Sequence, residues 1–244
     1  MMVNTPAFRE AAALVRDRGQ TLGVGLHLNL VVGRPLTAVP TLTDSHTGDF
    51  LSLGELAQRA MAGRVRAGDV RRECDAQIAA LAAEGIAMTH LDSHRHSHAL
   101  PGILPAVVAS ARAGAIRIVR RPLDRLLLAE PVVSAKMLAL HAAWRVAITG
   151  VPGSDRAAFG HVAHFRGIAL QGAPELESKL LTLLDSLPGG VTELMLHPGY
   201  DDATLAALDP YRAERERELS VLTSGVLGAA LDRGAIRLAT FAAV

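Results

Sequence analysis

The sequence predicts an α/β fold in which most strands run parallel, in an open sheet or in a sheet closed into a barrel. Patterns of buried strand alternate with patterns of helix along the chain, which implies right-handed βαβ crossovers. No internal repeat or low-complexity linker divides the 244 residues, a length that α/β barrels often use for one domain, so a single domain over residues 1–244 is expected. Ligand-type side chains recur where predicted strands end, the edge at which such folds gather function.

The elements follow in order. Residues 6–18 have helix composition and stop at Gly19, and residues 22–30 read as a buried strand. Residues 35–48, rich in Pro, Thr, Asp and Gly, predict a long loop, and 52–67 return to helical spacing. Over 69–84 the residues Val70, Ile78 and Leu81 lie among alanines and charges as in an amphipathic helix, with Gly85 placed to end it. A strand at 88–91 runs into the polar cluster 92–98. A helix at 103–113 and a short strand at 116–119 come next, the latter ending at Arg120 and Arg121. The apolar stretch 131–151 contains Lys136, His141 and Arg145 and predicts an amphipathic or buried helix rather than a bilayer span. Beyond it come a strand at 164–169, a helix at 175–187, and a strand at 191–196 that ends at His197. The last elements are a helix at 212–231, weak at Gly225 and Gly228, and a final strand at 236–241.

Half of the residues are hydrophobic and only 3% aromatic, so the core must be aliphatic. A formal charge of +1 argues against nucleic acid or an anionic membrane as partner. The one cysteine, Cys74, falls in a helical pattern; an intrachain disulfide and a cysteine-rich metal site are excluded, and a reducing cytoplasm suits the chain. Arg9 and Glu10 interrupt the place where a secretory signal needs an apolar run.

His90, Asp92, His94, His96 and His98 put ligand-type side chains at every second position, which in extended backbone would point them to one side. Imidazoles with a carboxylate suit zinc and other transition metals, against the plainer reading of a solvated histidine-rich turn. His27 interrupts a strand that otherwise reads as buried, and burying an imidazole costs free energy unless it is hydrogen-bonded or coordinated, so a satisfied core histidine and a ligand are both open. His197 stands at a strand tip before Pro198 and Gly199, where it can act as acid or base near neutral pH. Arg120 or Arg121 could bind hydroxyl or anionic groups of a substrate, or form a surface ion pair.

Taken together, Gly25-Leu26-His27-Leu28-Asn29-Leu30 with Gly33-Arg34-Pro35, then 89–98 from Thr89 to His98, then Glu193-Leu194-Met195-Leu196-His197-Pro198-Gly199, resemble in order the YdjC/ChbG carbohydrate deacetylases. The C-terminal stretch, with Arg215 and Glu218 before Leu222-Thr223, resembles that family's ending. The resemblance implies a deformed (β/α) barrel of the polysaccharide-deacetylase type and a metal-dependent amide hydrolase acting on N-acetylated sugars or glycolipids. It implies His27 and His94 as ligands of a divalent ion, Mg or Zn among the candidates, and His197 as the acid that protonates the leaving amine. Asp92 would orient a ligand from behind, while His96 and His98 would line the sugar site or contact the phosphate or water network. The apolar stretch 131–151 would suit a substrate lid or a homodimer contact.

Members of that family begin with a strand ending in an Asp-Asp pair. This chain enters the pattern late, so the fold is expected to lack its first strand-helix unit, and with it one metal ligand and the general base. Glu10 and Asp17 read as solvated charges that do not replace them. An internal start site and an inactive sugar- or partner-binding remnant are the two explanations, and a phosphoesterase using the histidine cluster is a third functional reading.

Overall fold

The computed structural model describes residues 1–18, 22–125, 131–159 and 162–244. Gly19 lies outside the described residues. The chain divides into two compact units, one formed by Met1–Pro122, Ala139–His161 and Thr240–Val244, the other by Leu123–Leu138 and Val162–Ala239.

In the first unit the helices are α1 (Phe8–Arg18), α2 (Leu53–Met61), α3 (Ala67–Ala83) and α4 (Leu104–Ala113), and the strands are β1 (Val24–Leu28) and β2 (Met88–Ser93). The strands pair in parallel, with Gly25 opposite His90 and His27 opposite Asp92. On the far side of β2, Leu91 donates to the Ile118 carbonyl and Arg120 to the Leu91 carbonyl, both at 2.9 Å. The short strand expected at 116–119 is thus reduced to one parallel bridge, Leu91 to Val119. On the far side of β1 the His27 N–H donates to the Met1 carbonyl at 2.9 Å. With partners on both edges, the Val-Gly-Leu-His-Leu run is buried except for a half-buried His27.

Helix α2 starts on a reciprocal capping box between Ser52 and Glu55, and the turn at Gly63 (φ +65°) separates it from α3, so the single helical stretch expected over 52–67 stops early. Helix α3 ends before Gly85 at φ +73°, as its composition predicts. One face of α3 buries Val70, Cys74, Ile78 and Leu81. The sequence reading missed a second buried stripe, Asp69, Glu73 and Gln77, spaced i, i+4, i+8. Glu73 accepts from the Leu36 and Thr37 N–H groups at 2.9 and 3.0 Å and from the Thr37 hydroxyl at 2.7 Å. Asp69 accepts from the Thr41 N–H and hydroxyl. Gln77 exchanges two hydrogen bonds with the Asn29 backbone, at 3.0 and 2.7 Å. In a linear sequence these groups look like solvated charges, Asp69 and Glu73, and a solvated amide, Gln77. Their place is decided by the long 29–52 loop, whose turning backbone has N–H groups that no ladder satisfies.

Helix α5 (Pro131–Ala147) contains the division between the units. Its Ser134, Met137, Trp144 and Ala147 are buried and recur at helical spacing, while Val132 and Val146 are exposed, so the helix is amphipathic. Together with the turn that follows it, Pro131–Gly150 is long and apolar enough to cross a membrane by length and composition.

The second unit holds strands β3 (His164–Arg166) and β4 (Thr192–Leu194) and helices α6 (Leu176–Asp185), α7 (Ala203–Leu208), α8 (Ala213–Leu222) and α9 (Gly225–Arg233). β3 and β4 pair in parallel. Gly167 ends β3 at φ +126°, where a Cβ would stand 2.2 Å from the Met195 carbonyl oxygen, so only glycine allows the two chains to approach there. Leu176, Leu180 and Leu184 form the buried stripe of α6 and pack with Leu170 and Ala230 as this unit's aliphatic core. The helix expected over 212–231 is broken between Leu222 and Gly225, next to the anticipated weak point. Helix α7 was not foreseen; Asp202 caps it by accepting from the Leu205 N–H at 2.7 Å. Residues 236–240 form no strand, because a strand needs a neighbour to satisfy its backbone and Leu238 instead lies 77% exposed.

Candidate active site

The register of β1 against β2 sets His27 beside Asp92. His27 Nδ1 lies 2.8 Å from Asp92 Oδ1, and the other carboxylate oxygen pairs with the Arg120 guanidinium. Since a carboxylate only accepts, Nδ1 carries the proton in this pair. Burial alone would raise the Asp92 carboxyl, but Arg120 and His27 together outweigh it and hold it well below the usual carboxylate range. The group is therefore a fixed negative charge with both oxygens occupied.

The His94 ring stands edge-on to His27, with centroids 5.7 Å apart and planes at 72°. Two imidazoles sharing one ion at about 2.0–2.1 Å per nitrogen would have centroids roughly 5–6 Å apart, a range that includes this separation. Among the described residues no group of three or more His, Cys, Asp or Glu side chains is placed to hold a metal. Glu10 and Asp17 are exposed on α1, as their pattern predicts.

The alternation from His90 to His98 does not point all its members one way, because the extended backbone stops at Ser93. Arg95 and His96 adopt left-handed conformations (φ 53° and 54°) inside a tight 3₁₀ turn over His94–Ala99. Two successive L-residues there cost about 1–2 kcal/mol each, strain of the kind that collects at functional turns. The turn leaves His94 and His96 half-buried and sends His98 into the interior. There the His98 Nε2–H donates to the Arg120 carbonyl at 2.9 Å, and Nδ1 accepts from the Ser93 hydroxyl at 2.5 Å. With no exposure and both nitrogens engaged, His98 holds the Arg120 segment in place and does not line a sugar site. His90 is also structural: its ring stacks on Phe241 with centroids 4.0 Å apart and fills the space where a Cβ on Gly25 would stand, 2.5 Å from the ring.

Burial lowers His98 from its ordinary 6.5 to about 4, and His90 likewise. As pH falls below 6.5 the unfolded chain binds protons that these native rings refuse. Their contribution to stability is complete above that pH and is lost down to about pH 4, on the order of 3 kcal/mol for the fully buried His98 ring. The free energy of urea unfolding is expected to drop steeply across that window, and His98→Gln to remove part of the slope. An unchanged slope in the variant would contradict a neutral buried His98.

His197 belongs to the second unit and follows β4 at a Pro-Gly tip. The buried Glu218 of α8 accepts from the His197 N–H through one oxygen and from the Tyr211 hydroxyl through the other. Burial, reinforced by Glu218, pushes the Tyr211 phenol well above its ordinary range, so it remains a donor. Arg215 donates to the Tyr211 carbonyl at 2.8 Å, pairs with Asp209 at 2.8 Å and stacks over the Tyr211 ring. The tip that carries His197 is thus fixed through its backbone. The sequence offered Arg215 and Glu218 only as part of a resembling ending; their clamp depends on α8 folding back along the tip.

The first unit is thus a parallel α/β frame that carries a histidine pair at its strand ends, one member oriented by a buried carboxylate. The chain matches the family described as YdjC-like protein over residues 1–233 and belongs to that family. It is 33% identical over 242 residues to a carbohydrate deacetylase of Geobacillus stearothermophilus, covering 99% of this chain and 83% of that one. A chitooligosaccharide deacetylase of Yersinia pestis is 33% identical, with 98% and 85% covered. Among solved structures, an Enterococcus faecalis protein described as a cellobiose-phosphate cleavage protein superposes with a TM-score of 0.70 at 25% identity, covering 99% of this chain and 85% of that one.

Proposed function

We propose that this chain is a metal-dependent carbohydrate deacetylase that hydrolyses the acetamide of an N-acetylated sugar, free or lipid-linked. The observation that carries the reading is the His27–Asp92 pair with His94 beside it, together with two named relatives that are carbohydrate and chitooligosaccharide deacetylases. His27 and His94 would hold a divalent ion, Mg or Zn. Such an ion supplies Lewis acidity toward the amide carbonyl and makes water a stronger acid.

The chain's own residues have separate tasks in this scheme. Asp92 keeps the proton of His27 on Nδ1 and so presents Nε2 for ligation. Arg120 keeps Asp92 charged and is too enclosed to serve also as a surface contact, with its side chain 11% exposed. His96, half-buried on the strained turn, is assigned to the rim of the sugar site. His197 as imidazolium gives its proton to the departing amine nitrogen, since an amine leaves poorly as an anion. His197's role rests on its motif and on the fixed tip. The fold accompanying this reading is a deformed (β/α) barrel.

The test is acetate release from N,N′-diacetylchitobiose by the full chain with Mg or Zn supplied, beside phosphate release from a generic phosphate ester. Metal-dependent acetate supports the reading. Binding of the disaccharide without acetate favours a sugar-binding remnant, and phosphate without acetate a phosphoesterase.

A further inference from the structure

We infer that Tyr200 is a platform on which a pyranose ring of the carbohydrate ligand stacks, a binding role that rests on the deacetylase reading of the His197 tip. The chain is 3% aromatic; Phe50, Trp144, Phe159 and Phe165 are buried, and Phe8, Tyr211 and Phe241 are half-buried. Tyr200, three residues beyond His197, is instead 76% exposed and is the one aromatic side chain among the described residues with large exposure.

Its backbone is held on both sides. The Gly199 N–H donates to the Arg215 carbonyl at 3.3 Å, and the Asp201 N–H donates to Glu216 at 3.0 Å. The polar side chains that follow have structural duties: Asp201 pairs with Arg212 at 2.6 Å, and Asp202 caps α7. The tip therefore displays one exposed aromatic ring on a backbone held at both neighbouring residues, and keeps its carboxylates occupied. One face of a hexopyranose presents several C–H groups of slight positive charge, and these match the negative face of an aromatic ring. An N-acetylhexosamine unit offers that face along with its acetamide. Tyr200 and His197 on one fixed tip would then hold the sugar ring and serve its amide nitrogen.

The experiment measures binding of N,N′-diacetylchitobiose to the full chain by titration calorimetry, with acetate release followed separately. Tyr200→Ala is expected to weaken binding roughly five- to tenfold, the size of one aromatic contact, while Tyr200→Phe and Tyr200→Trp retain most of the affinity because they keep the face. Circular dichroism checks that each variant folds. Equal affinity of the alanine variant and the unsubstituted chain overturns the platform. So does a phenylalanine variant as weak as the alanine one, since that outcome assigns the contact to the hydroxyl. Sugar binding that depends on Tyr200 without any acetate leaves the platform standing and removes the deacetylase reading. Acetate release with KM unaffected by Tyr200→Ala does the reverse, and a chain that neither binds nor hydrolyses overturns both.

Discussion

Asp92→Asn is expected to lower both the stability and the activity of the chain more than any other single change in the first unit. The substitution keeps the shape but removes the charge to which Arg120 is paired and on which the His27 proton is held. Arg120 would remain charged with its side chain only 11% exposed, and removing one partner of such a buried pair costs about 3–5 kcal/mol. The orientation of His27 would also be lost, which for a carboxylate behind a metal-binding histidine lowers affinity or activity roughly 10- to 100-fold. Urea unfolding and metal-dependent acetate release read the two effects separately. Arg120→Met in the same chain should recover part of the stability, because the stranded charge is gone, but not the activity. Unaltered unfolding in Asp92→Asn would show that the pair carries little. The pH dependence has a definite sign: a carboxyl held below its ordinary range stabilises the fold above the usual carboxylate pKa and loses that effect as pH falls through the depressed value. Asp92→Asn removes this component of acid unfolding.

His197→Ala is expected to reduce kcat by roughly 10²- to 10⁴-fold, the span for loss of a positioned proton donor, with little change in unfolding free energy. The small cost to stability follows from how the tip is held. Glu218 accepts from the His197 backbone N–H, and the Gly199 N–H bonds to the Arg215 carbonyl, so the clamp survives when the ring's edge-on contact with Tyr211, centroids 5.8 Å apart, is removed. If His197 protonates the leaving amine, the defect should shrink for N-acetyl compounds whose amine is less basic, since these need the proton less. A uniform defect across leaving groups would assign His197 to substrate binding instead. A large loss of stability would place the ring in the packing of its unit.

Much of the site was legible from local pattern. A polar residue inside the apolar run of β1 has to be paired or ligated, so His27 could be singled out without a partner in view. The strand ends at His94 and His197 were marked by the change from apolar run to polar cluster or to Pro-Gly. The buried carboxylates of α3 were not legible, because a charge at helical spacing looks the same whether it meets water or an unsatisfied loop backbone. The inward turn of His98 was not legible for a related reason: alternation keeps side chains on one side only while the backbone stays extended, and the left-handed pair Arg95–His96 ends that extension. The last expected strand failed because apolar alternation over 236–241 specifies a face and supplies no edge to pair with.

The sequence by itself determined the α/β class, the parallel habit of the strands and the identity of the ligand-type residues, since these depend on periodicity and chain order, which are local. Tertiary structure alone decided which of those residues meet. His27 pairs with Asp92 because the parallel ladder sets those two positions opposite each other, and Asp92 stays ionised because Arg120 arrives from the neighbouring bridge. Register and long-range charge pairing join residues 65 positions apart, and no local pattern encodes that distance.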